Sequence, residues 1–159
     1  MIFLTTGTQL PFDRLVRALD EWAERHPEVH IFGQIGKANY EPRFFEWTRS
    51  ISPMQFEDQM TACESMVAHA GMGTIISGIE LGKRVLVMPR LSAFGEHRND
   101  HQLATVDRLQ HLKALEVVHS PEDLHQALDD QPIRFGVDVL EIHPQLIQTI
   151  RDFSGLRAA

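Results

Sequence analysis

The segment with the clearest structural meaning is Ser65-Met66-Val67-Ala68-His69-Ala70-Gly71-Met72-Gly73-Thr74. Its apolar start predicts a buried strand, and residues 73–81 predict a helix that ends at Gly82. Glycines in the turn between them allow a ligand to approach the backbone closely, and a helix N-terminus offers free N–H groups and the positive end of a dipole. The turn is therefore either a cradle for a phosphate group, with the Thr74 hydroxyl as a further donor, or only a tight connection.

Strand and helix patterns alternate along the rest of the chain. Apolar runs predict strands over residues 2–6, 30–35, 44–48, 65–68, 85–88 and 116–118, and apolar residues at helical spacing predict helices over residues 12–23, 53–63, 73–81, 100–115, 121–128 and 144–153. This alternation is typical of a single Rossmann-like three-layer α/β domain, here over residues 1–159, with a mostly parallel sheet. The last helix has an apolar face that we expect to pack into the domain's own core, with docking of a partner as the alternative.

One connection argues against a fully parallel sheet. Only residues 37–43 separate the second and third predicted strands, whereas a parallel crossover needs a dozen residues or more. These two strands then cannot be joined by a right-handed βαβ unit. We therefore expect a partly mixed sheet with an antiparallel element near its start.

Composition and charge exclude several classes of protein. The apolar content of 43% is ordinary for a globular domain. The sequence contains no run of about 18 apolar residues, the length that a bilayer-spanning helix needs. The apolar N-terminus lacks a basic leader and predicts a strand, not a signal peptide. The single cysteine, Cys63, excludes an internal disulfide and fits a reducing, cytoplasmic location. A net charge of −7 argues against binding of nucleic acid or anionic lipid, so membrane association is expected only through a partner.

The loops that follow the strands hold the candidate site, because ligands of such sheets bind beyond the carboxyl ends of the strands. After the first strand, Gly7-Thr8-Gln9 either faces an anion, with Thr8 as a donor, or only caps the next helix. No G-x-G-x-x-G follows this strand, which weakens a dehydrogenase interpretation. Residues 89–102 predict a long polar loop whose amide, carboxylate and imidazole groups suit a sugar, and whose arginines, Arg90 and Arg98, could grip a carboxylate.

The same loop raises the alternative of a metal site. His97 and His101 are spaced i, i+4, and Asp100 lies beside them. A third ligand at matching spacing is missing, and Pro89 and Gly95 predict loop rather than helix before about residue 99. We therefore expect no metal and no other cofactor.

Three segments, in this order along the chain, resemble the nucleotide-sugar-binding half of a GT-B glycosyltransferase of the family 28 type: residues 5–15, 69–74 and 95–102. The resemblance covers residue 1 to about residue 128. It is greatest to the small subunits of two-chain bacterial exopolysaccharide and capsule glycosyltransferases. Those subunits are in turn similar to the catalytic subunit of the two-chain UDP-N-acetylglucosamine transferase of the dolichol pathway.

The resemblance implies two groups of binding residues. The nucleotide and its diphosphate would contact Gly7, Thr8, Gln9, Ile51, His69, Gly71, Met72, Gly73, Thr74, Ser77 and Glu80, and the donor sugar would contact Arg90, Glu96, His97, Arg98, Asn99, His101 and Gln102. Many relatives have a ribose-binding glutamate where this chain has Ser77. Glu80 lies one helical turn further on, so either Glu80 reaches the ribose or that contact is weaker.

The resemblance also implies an activity. This is inverting transfer of a hexosyl or hexuronosyl residue from a UDP-sugar to a polyprenyl-diphosphate-linked sugar, in exopolysaccharide or capsule synthesis. The chain would be the donor-binding subunit of a heteromeric hexosyltransferase, and no metal would be required. A membrane-associated partner would bind the acceptor, supply the general base and recruit the chain to the inner face of the cell membrane.

The donor and two other functions remain open on the sequence. Arg90 and Arg98 favour UDP-glucuronate, and thus a glucuronosyltransferase, over UDP-galactose, UDP-glucose and UDP-N-acetylglucosamine. A non-catalytic nucleotide-binding regulatory module is the first alternative. A metal-dependent hydrolase that would use His97 and His101 is the second.

Overall fold

A sheet of six strands forms the centre of the structure, a computed structural model that describes residues 1–109, 112 and 115–130. Its strands are β1 (Ile2–Thr5), β2 (Ile31–Gln34), β3 (Glu46–Thr48), β4 (Ser65–His69), β5 (Arg84–Met88) and β6 (Leu115–Val117). The helices in this part of the chain are α1 (Asp13–Arg25), α2 (Pro53–Ala62), α3 (Met72–Glu80), α4 (His101–Leu109) and α5 (Pro121–Asp130), with a 3₁₀ turn at Ser92–Phe94. The helix predicted over residues 144–153 lies outside the described residues.

The strands lie in the order β3-β2-β1-β4-β5-β6, and every neighbouring pair is parallel. This confirms the predicted Rossmann-like fold, and the order is that of a doubly wound sheet. The chain first builds outward from β1 to β3 and then returns to place β4 on the other side of β1. Because β1 and β4 are neighbours, the loops that follow them leave the sheet side by side. Open α/β sheets bind their ligands at such a reversal of strand order.

Helices cover both faces of the sheet. On one face, Leu15 of α1 and Leu124 of α5 join a buried apolar cluster with Leu4 of β1. On the other face, Ile75 of α3 joins a second cluster with Phe3 of β1, together with residues of α2 and α4. Alternate residues of β1 thus serve both cores, because successive side chains of a strand point to opposite faces. The result is the predicted three-layer arrangement.

The expected antiparallel element is wrong, because β2 and β3 pair in parallel. β3 begins at Glu46, so the connection that follows β2 runs from residue 35 to residue 45. A non-helical chain of this length can span about 35 Å, and it has to return only the length of β2, about 13 Å. The crossover therefore needs no helix of its own.

Helix α1 holds this crossover in place. The carboxylate of Asp20, only 1% exposed, accepts hydrogen bonds from the backbone N–H groups of Arg43 (3.0 Å) and Phe44 (2.9 Å) and from the Tyr40 hydroxyl (2.7 Å). Asp13, in the first turn of α1, accepts a hydrogen bond from the backbone N–H of Tyr40 at 3.0 Å. A buried carboxylate is tolerated when hydrogen bonds replace its hydration, and here its partners are the backbone of the crossover. Two carboxylates of α1 thus fix a connection that has no regular structure.

Replacing Asp20 with asparagine should lower the free energy of unfolding by about 2 kcal/mol, because the amide keeps only one acceptor oxygen for donors that now use both carboxylate oxygens. The change should also lower the pKa of Tyr40, which the hydrogen bond to Asp20, burial and the charge of Asp20 together raise above its ordinary value. Urea unfolding measures the first effect. Tyrosinate absorbance during a pH titration measures the second, since Tyr40 is the single tyrosine of the chain. The variant Glu21→Gln, at an exposed neighbouring position of α1, is the control, and an unchanged Tyr40 pKa in Asp20→Asn would contradict the arrangement.

Candidate functional site

The imidazole of His69 fills the space between the loops that follow β1 and β4. A methyl group placed on Gly7 would lie 2.8 Å from His69 Cε1, and one placed on Gly71 would collide with His69 Nε2. Gly7 also has a φ of +71°, a left-handed conformation that favours glycine. The packing of the imidazole against both loops therefore explains why these two positions are glycine.

Gly73 has no comparable explanation within the protein. Nothing lies within 4 Å of a methyl group placed on it, and its φ is not positive. The residue is exposed at the start of α3. A tight connection thus accounts for Gly71 but leaves Gly73 unexplained, whereas close approach of a ligand to the backbone accounts for Gly73.

The start of α3 carries hydrogen-bond donors that the helix itself does not use. Its N-cap is Gly71, which has no side chain to cap the helix, and the first intrahelical bond runs from Ile75 N to Gly71 O at 3.1 Å. The backbone N–H groups of Met72, Gly73 and Thr74 therefore remain free of helical partners. Together with the positive end of the helix dipole, such groups form an anion site.

His69 contributes no charge to this site. Burial, followed by the positive charge of Arg90, lowers the pKa of His69 to about 4, although a contact of 3.4 Å between His69 Nδ1 and Thr5 O opposes the shift. The imidazole is therefore neutral near pH 7. Its role in this structure is to set the spacing of the two loops.

Arg90 lies beneath the site, not on its surface. Its side chain is 1% exposed, and its guanidinium donates to Pro11 O (2.9 Å), Glu96 O (3.0 Å) and Thr6 O (2.6 Å). The guanidinium carbon also lies 4.5 Å from the centre of the Phe12 ring. Burial lowers the pKa of Arg90 to about 10, so the group is still charged near pH 7. This placement is inconsistent with the predicted contact between Arg90 and a sugar carboxylate, because the donors already have backbone partners.

Glu96 is committed in the same way. It is 6% exposed, and its two oxygens accept hydrogen bonds from Arg14 Nε (2.9 Å) and Arg14 Nη2 (2.8 Å). It also accepts a hydrogen bond from the backbone N–H of Leu91 at 2.9 Å. The pair joins α1 to the loop after β5, which is inconsistent with the predicted sugar contact of Glu96. The sequence contained Arg14, but no local pattern indicated that it would meet a residue 82 positions away.

Gln102 links the two loops that the sequence analysis treated as separate motifs. Its Oε1 accepts hydrogen bonds from Ala70 N at 3.2 Å, in the turn before α3, and from Arg90 N at 3.0 Å. Within the described residues, its Nε2 makes no hydrogen bond. The amide therefore offers a donor beside the start of α3, as the predicted sugar contact requires.

Six residues from three loops line a cavity of about 470 Å³ at the same edge of the sheet, and we refer to it as the Lys37 cavity. The loop after β1 contributes Thr8, Gln9 and Leu10, the loop after β2 contributes Lys37, and the loop after β5 contributes His97 and Arg98. The structure thus brings together four of the predicted site residues with Lys37, which is not among the predicted binding residues. Its place just after the second strand, in a turn where Gly36 has a φ of +57°, is the signal in the sequence that points to it.

The remaining predicted residues are more dispersed. Asn99 and His101 are exposed near the start of α4, and Asn99 O lies 3.1 Å from His97 Nδ1. Ile51 is partly buried against the apolar cluster shared by α2 and α3. Ser77 is partly buried, whereas Glu80 is exposed at the last residue of α3, about 12 Å along the helix from its start. Ser77 is therefore nearer to the free N–H groups than Glu80 is.

The described residues offer neither a metal centre nor a membrane-spanning helix. Among residues 1–109, 112 and 115–130, no three histidine, cysteine, aspartate or glutamate side chains are placed to share a metal ion. The metal-dependent hydrolase therefore has no candidate centre in that part of the chain. None of its helices combines the length and the apolar character that a bilayer span requires.

Comparison with known proteins assigns this architecture to a family. The sequence model of the glycosyltransferase family 28 C-terminal domain matches residues 1–131. No curated protein matches the chain in sequence.

Solved structures share the fold. The glycotransferase of kitacinnamycin superposes over 95% of this chain with a TM-score of 0.64 at 19% identity, and a glycosyltransferase of Arabidopsis thaliana complexed with UDP-L-rhamnose superposes over 99% with a TM-score of 0.59 at 16% identity. This chain spans only 39% and 42% of their lengths. It spans 89% of the C-terminal CMP-Kdo binding domain of WaaA from Acinetobacter baumannii, with 95% of this chain covered, a TM-score of 0.53 and 10% identity. The likeness confirms the expected GT-B C-terminal fold.

The buried imidazole of His69 should make stability depend on pH. The histidine pKa is about 4 in the folded chain and near 6.5 in the unfolded chain, so the unfolded state binds the proton more readily between these values. The free energy of unfolding should therefore fall as the pH drops below about 6.5, by about 2 kcal/mol between about pH 7 and pH 5. Urea unfolding of wild type and His69→Gln at both pH values measures this contribution, and the variant should lose less stability. The exposed-site variant His30→Gln should behave as wild type, and equal losses in wild type and His69→Gln would overturn the assignment.

Proposed function

The chain belongs to the glycosyltransferase family 28 C-terminal domain family, and from this membership we propose that it binds the UDP-sugar donor of a glycosyl transfer. The observation that carries the proposal is the start of α3, where three backbone N–H groups have no helical partner and Gly73 stands open to an approaching ligand. The start of α3 lies beside β1, at the reversal of strand order.

The chemistry of this helix start suits a departing nucleoside diphosphate. When the bond between the sugar and the diphosphate breaks, negative charge grows on the diphosphate oxygens, and fixed N–H donors stabilise that charge without reorganising. The Thr74 hydroxyl and the loop of Gly7, Thr8 and Gln9 would add donors from the other side of the crevice. A helix start with these donors can hold a diphosphate without a metal ion. The remainder of the nucleotide would lie toward Ile51 and Ser77.

The donor sugar would lie between the free amide of Gln102 and the Lys37 cavity. UDP-glucuronate is the favoured donor, because the exposed Arg98 faces the region where a sugar carboxylate would lie. Arg90 no longer supports this preference, since its donors are bound to backbone carbonyls. UDP-galactose, UDP-glucose and UDP-N-acetylglucosamine are the competing donors. His97, Asn99 and His101 would add donors and acceptors for sugar hydroxyls.

The acceptor half of the reaction would come from a membrane-associated partner chain at the inner face of the cell membrane. Its acceptor would be a polyprenyl-diphosphate-linked sugar in exopolysaccharide or capsule synthesis. The resemblance to the small subunits of two-chain enzymes supports this part, and so does the chemistry of the crevice. Inverting transfer needs a general base on the acceptor hydroxyl, and the Lys37 cavity has no carboxylate in its lining. The one imidazole in that lining, His97, is a proposed contact of the donor sugar's hydroxyls, while His69 is enclosed by glycines. The purified chain should then bind UDP without transferring sugar.

The absence of a carboxylate from the lining of the Lys37 cavity also supports a second function, a nucleotide-binding regulatory module without transfer activity. Both functions require UDP to bind at the start of α3. They differ when a candidate partner and lipid-linked acceptor are added, since transfer would appear only for the enzyme subunit.

Replacing Gly73 with alanine should separate ligand binding from stability. The methyl group meets no protein atom, and alanine favours a helix, so the free energy of unfolding should stay the same or rise by up to about 1 kcal/mol. The affinity for UDP, measured by calorimetric titration, should fall about tenfold, because the methyl group stands where the diphosphate approaches the backbone. Glu122→Ala, at the equivalent second position of α5, is the matched control and should leave the affinity unchanged. Unchanged UDP affinity in Gly73→Ala would contradict binding of the diphosphate at this helix start.

Replacing Arg98 with alanine tests the donor. The affinity for UDP-glucuronate should fall about fivefold, which is typical for loss of one partly exposed charged hydrogen bond, while the affinity for UDP should not change. Calorimetric titration with both ligands measures the difference. Arg25→Ala, at the far end of α1, removes the same charge away from the site and serves as the control. Equal losses for UDP-glucuronate and UDP would contradict a carboxylate contact.

A further inference from the structure

The Lys37 cavity is positively charged although the chain as a whole is acidic. Its lining includes Lys37, Arg98 and His97, and no carboxylate. Within the described residues, neither Lys37 nor Arg98 makes a hydrogen bond or an ion pair. Several basic side chains elsewhere are paired with carboxylates, as Arg14 is with Glu96 and Arg84 is with Glu116. In a chain of net charge −7, two unpaired cations that converge on one cavity indicate an anionic ligand.

This cavity adjoins the diphosphate cradle and shares with it the loop of Thr8 and Gln9, but it has further walls of its own. Neither His69 nor any residue of α3 lines it, and its walls come from the loops after β1, β2 and β5. The loop of Thr8 and Gln9 separates the two places, with the cradle on the side of β4 and Lys37 on the side of β2. The volume of about 470 Å³ is in the range of small-molecule sites and exceeds what a single phosphate group needs.

We propose that the Lys37 cavity binds the diphosphate of the glycosyl acceptor, with Lys37 as its principal cation. The proposal rests on the proposed function, in which the acceptor carries a diphosphate and approaches this edge of the sheet while the donor occupies the cradle. Two diphosphates repel each other when they are close, so they require separate cationic subsites. The cradle supplies one through the start of α3, and the Lys37 cavity supplies the other. Arg98 is also the proposed contact of the donor's carboxylate, whereas Lys37 has no part in the proposed donor site, and the test therefore uses Lys37.

The test uses inorganic pyrophosphate as the probe, added to the chain after the cradle has been saturated with UDP. Backbone amide resonances of Thr8, Lys37 and Arg98 should shift in NMR spectra, and those of α3 should not shift further. In Lys37→Met the affinity for pyrophosphate should fall about fivefold, while the affinity for UDP stays the same. Lys37→Arg keeps the charge and should retain most of the affinity. Arg25→Met, which removes one positive charge at the opposite edge of the sheet, is the matched control.

The outcomes separate this proposal from the proposed function. If UDP binds but pyrophosphate shifts no residue of the Lys37 cavity, the acceptor subsite is overturned and donor binding stands. If UDP does not bind at all, both are overturned. A lipid headgroup is the alternative source of the phosphate, and a parallel experiment with lipid vesicles distinguishes it from the acceptor. Lys37-dependent binding to phosphatidylcholine vesicles that contain phosphatidylglycerol, without any pyrophosphate shift, would overturn the acceptor subsite in favour of a membrane contact.

Discussion

The arrangement of the site depends on the buried guanidinium of Arg90. Its hydrogen bonds to the carbonyl oxygens of Thr6, Pro11 and Glu96 join the loop after β1 to the loop after β5. Burial of a charge is unfavourable, and here charge-assisted hydrogen bonds and an aromatic ring offset it. The same charge helps to keep the imidazole of His69 neutral. One side chain therefore joins the loops of the crevice and adds to the effect of burial in keeping His69 neutral.

The interior and the crevice differ in how their polar groups are satisfied. Within the described residues, no buried side-chain nitrogen or oxygen lacks a hydrogen-bond partner. At the crevice, by contrast, the first N–H groups of α3 have no hydrogen-bond partner within the helix. Lys37 and Arg98 line a cavity that has no acidic side chain in its lining. A fold that satisfies its interior but leaves donors and cations unpaired at one edge is suited to an anionic ligand there.

Local sequence patterns were sufficient for most elements. Strand and helix periodicities predicted the alternation, and the turn of Gly71 and Gly73 was predicted at the start of a helix, where the structure has it. The predicted antiparallel element failed because the carboxylate of Asp20 binds the crossover, and nothing in the spacing of residues 37–43 reveals such a contact. The predicted ligand contact of Arg90 was wrong for a similar reason. The polarity of a side chain does not show whether it contacts a ligand or, as here, donates to backbone carbonyls in the interior.

The sequence by itself determined what depends on neighbours along the chain: the periods of strands and helices, the glycines of the turn, the helix start and the family resemblance. Tertiary structure alone decided what depends on distant partners. Arg90 and Thr6 are 84 residues apart, and Asp20 and Arg43 are 23 apart, yet each pair is joined by a hydrogen bond. Burial and pairing of polar groups arise only when the layers pack. For that reason Arg90 lies beneath the crevice and not among the predicted ligand contacts, whereas Lys37, which belongs to no motif, lines the crevice.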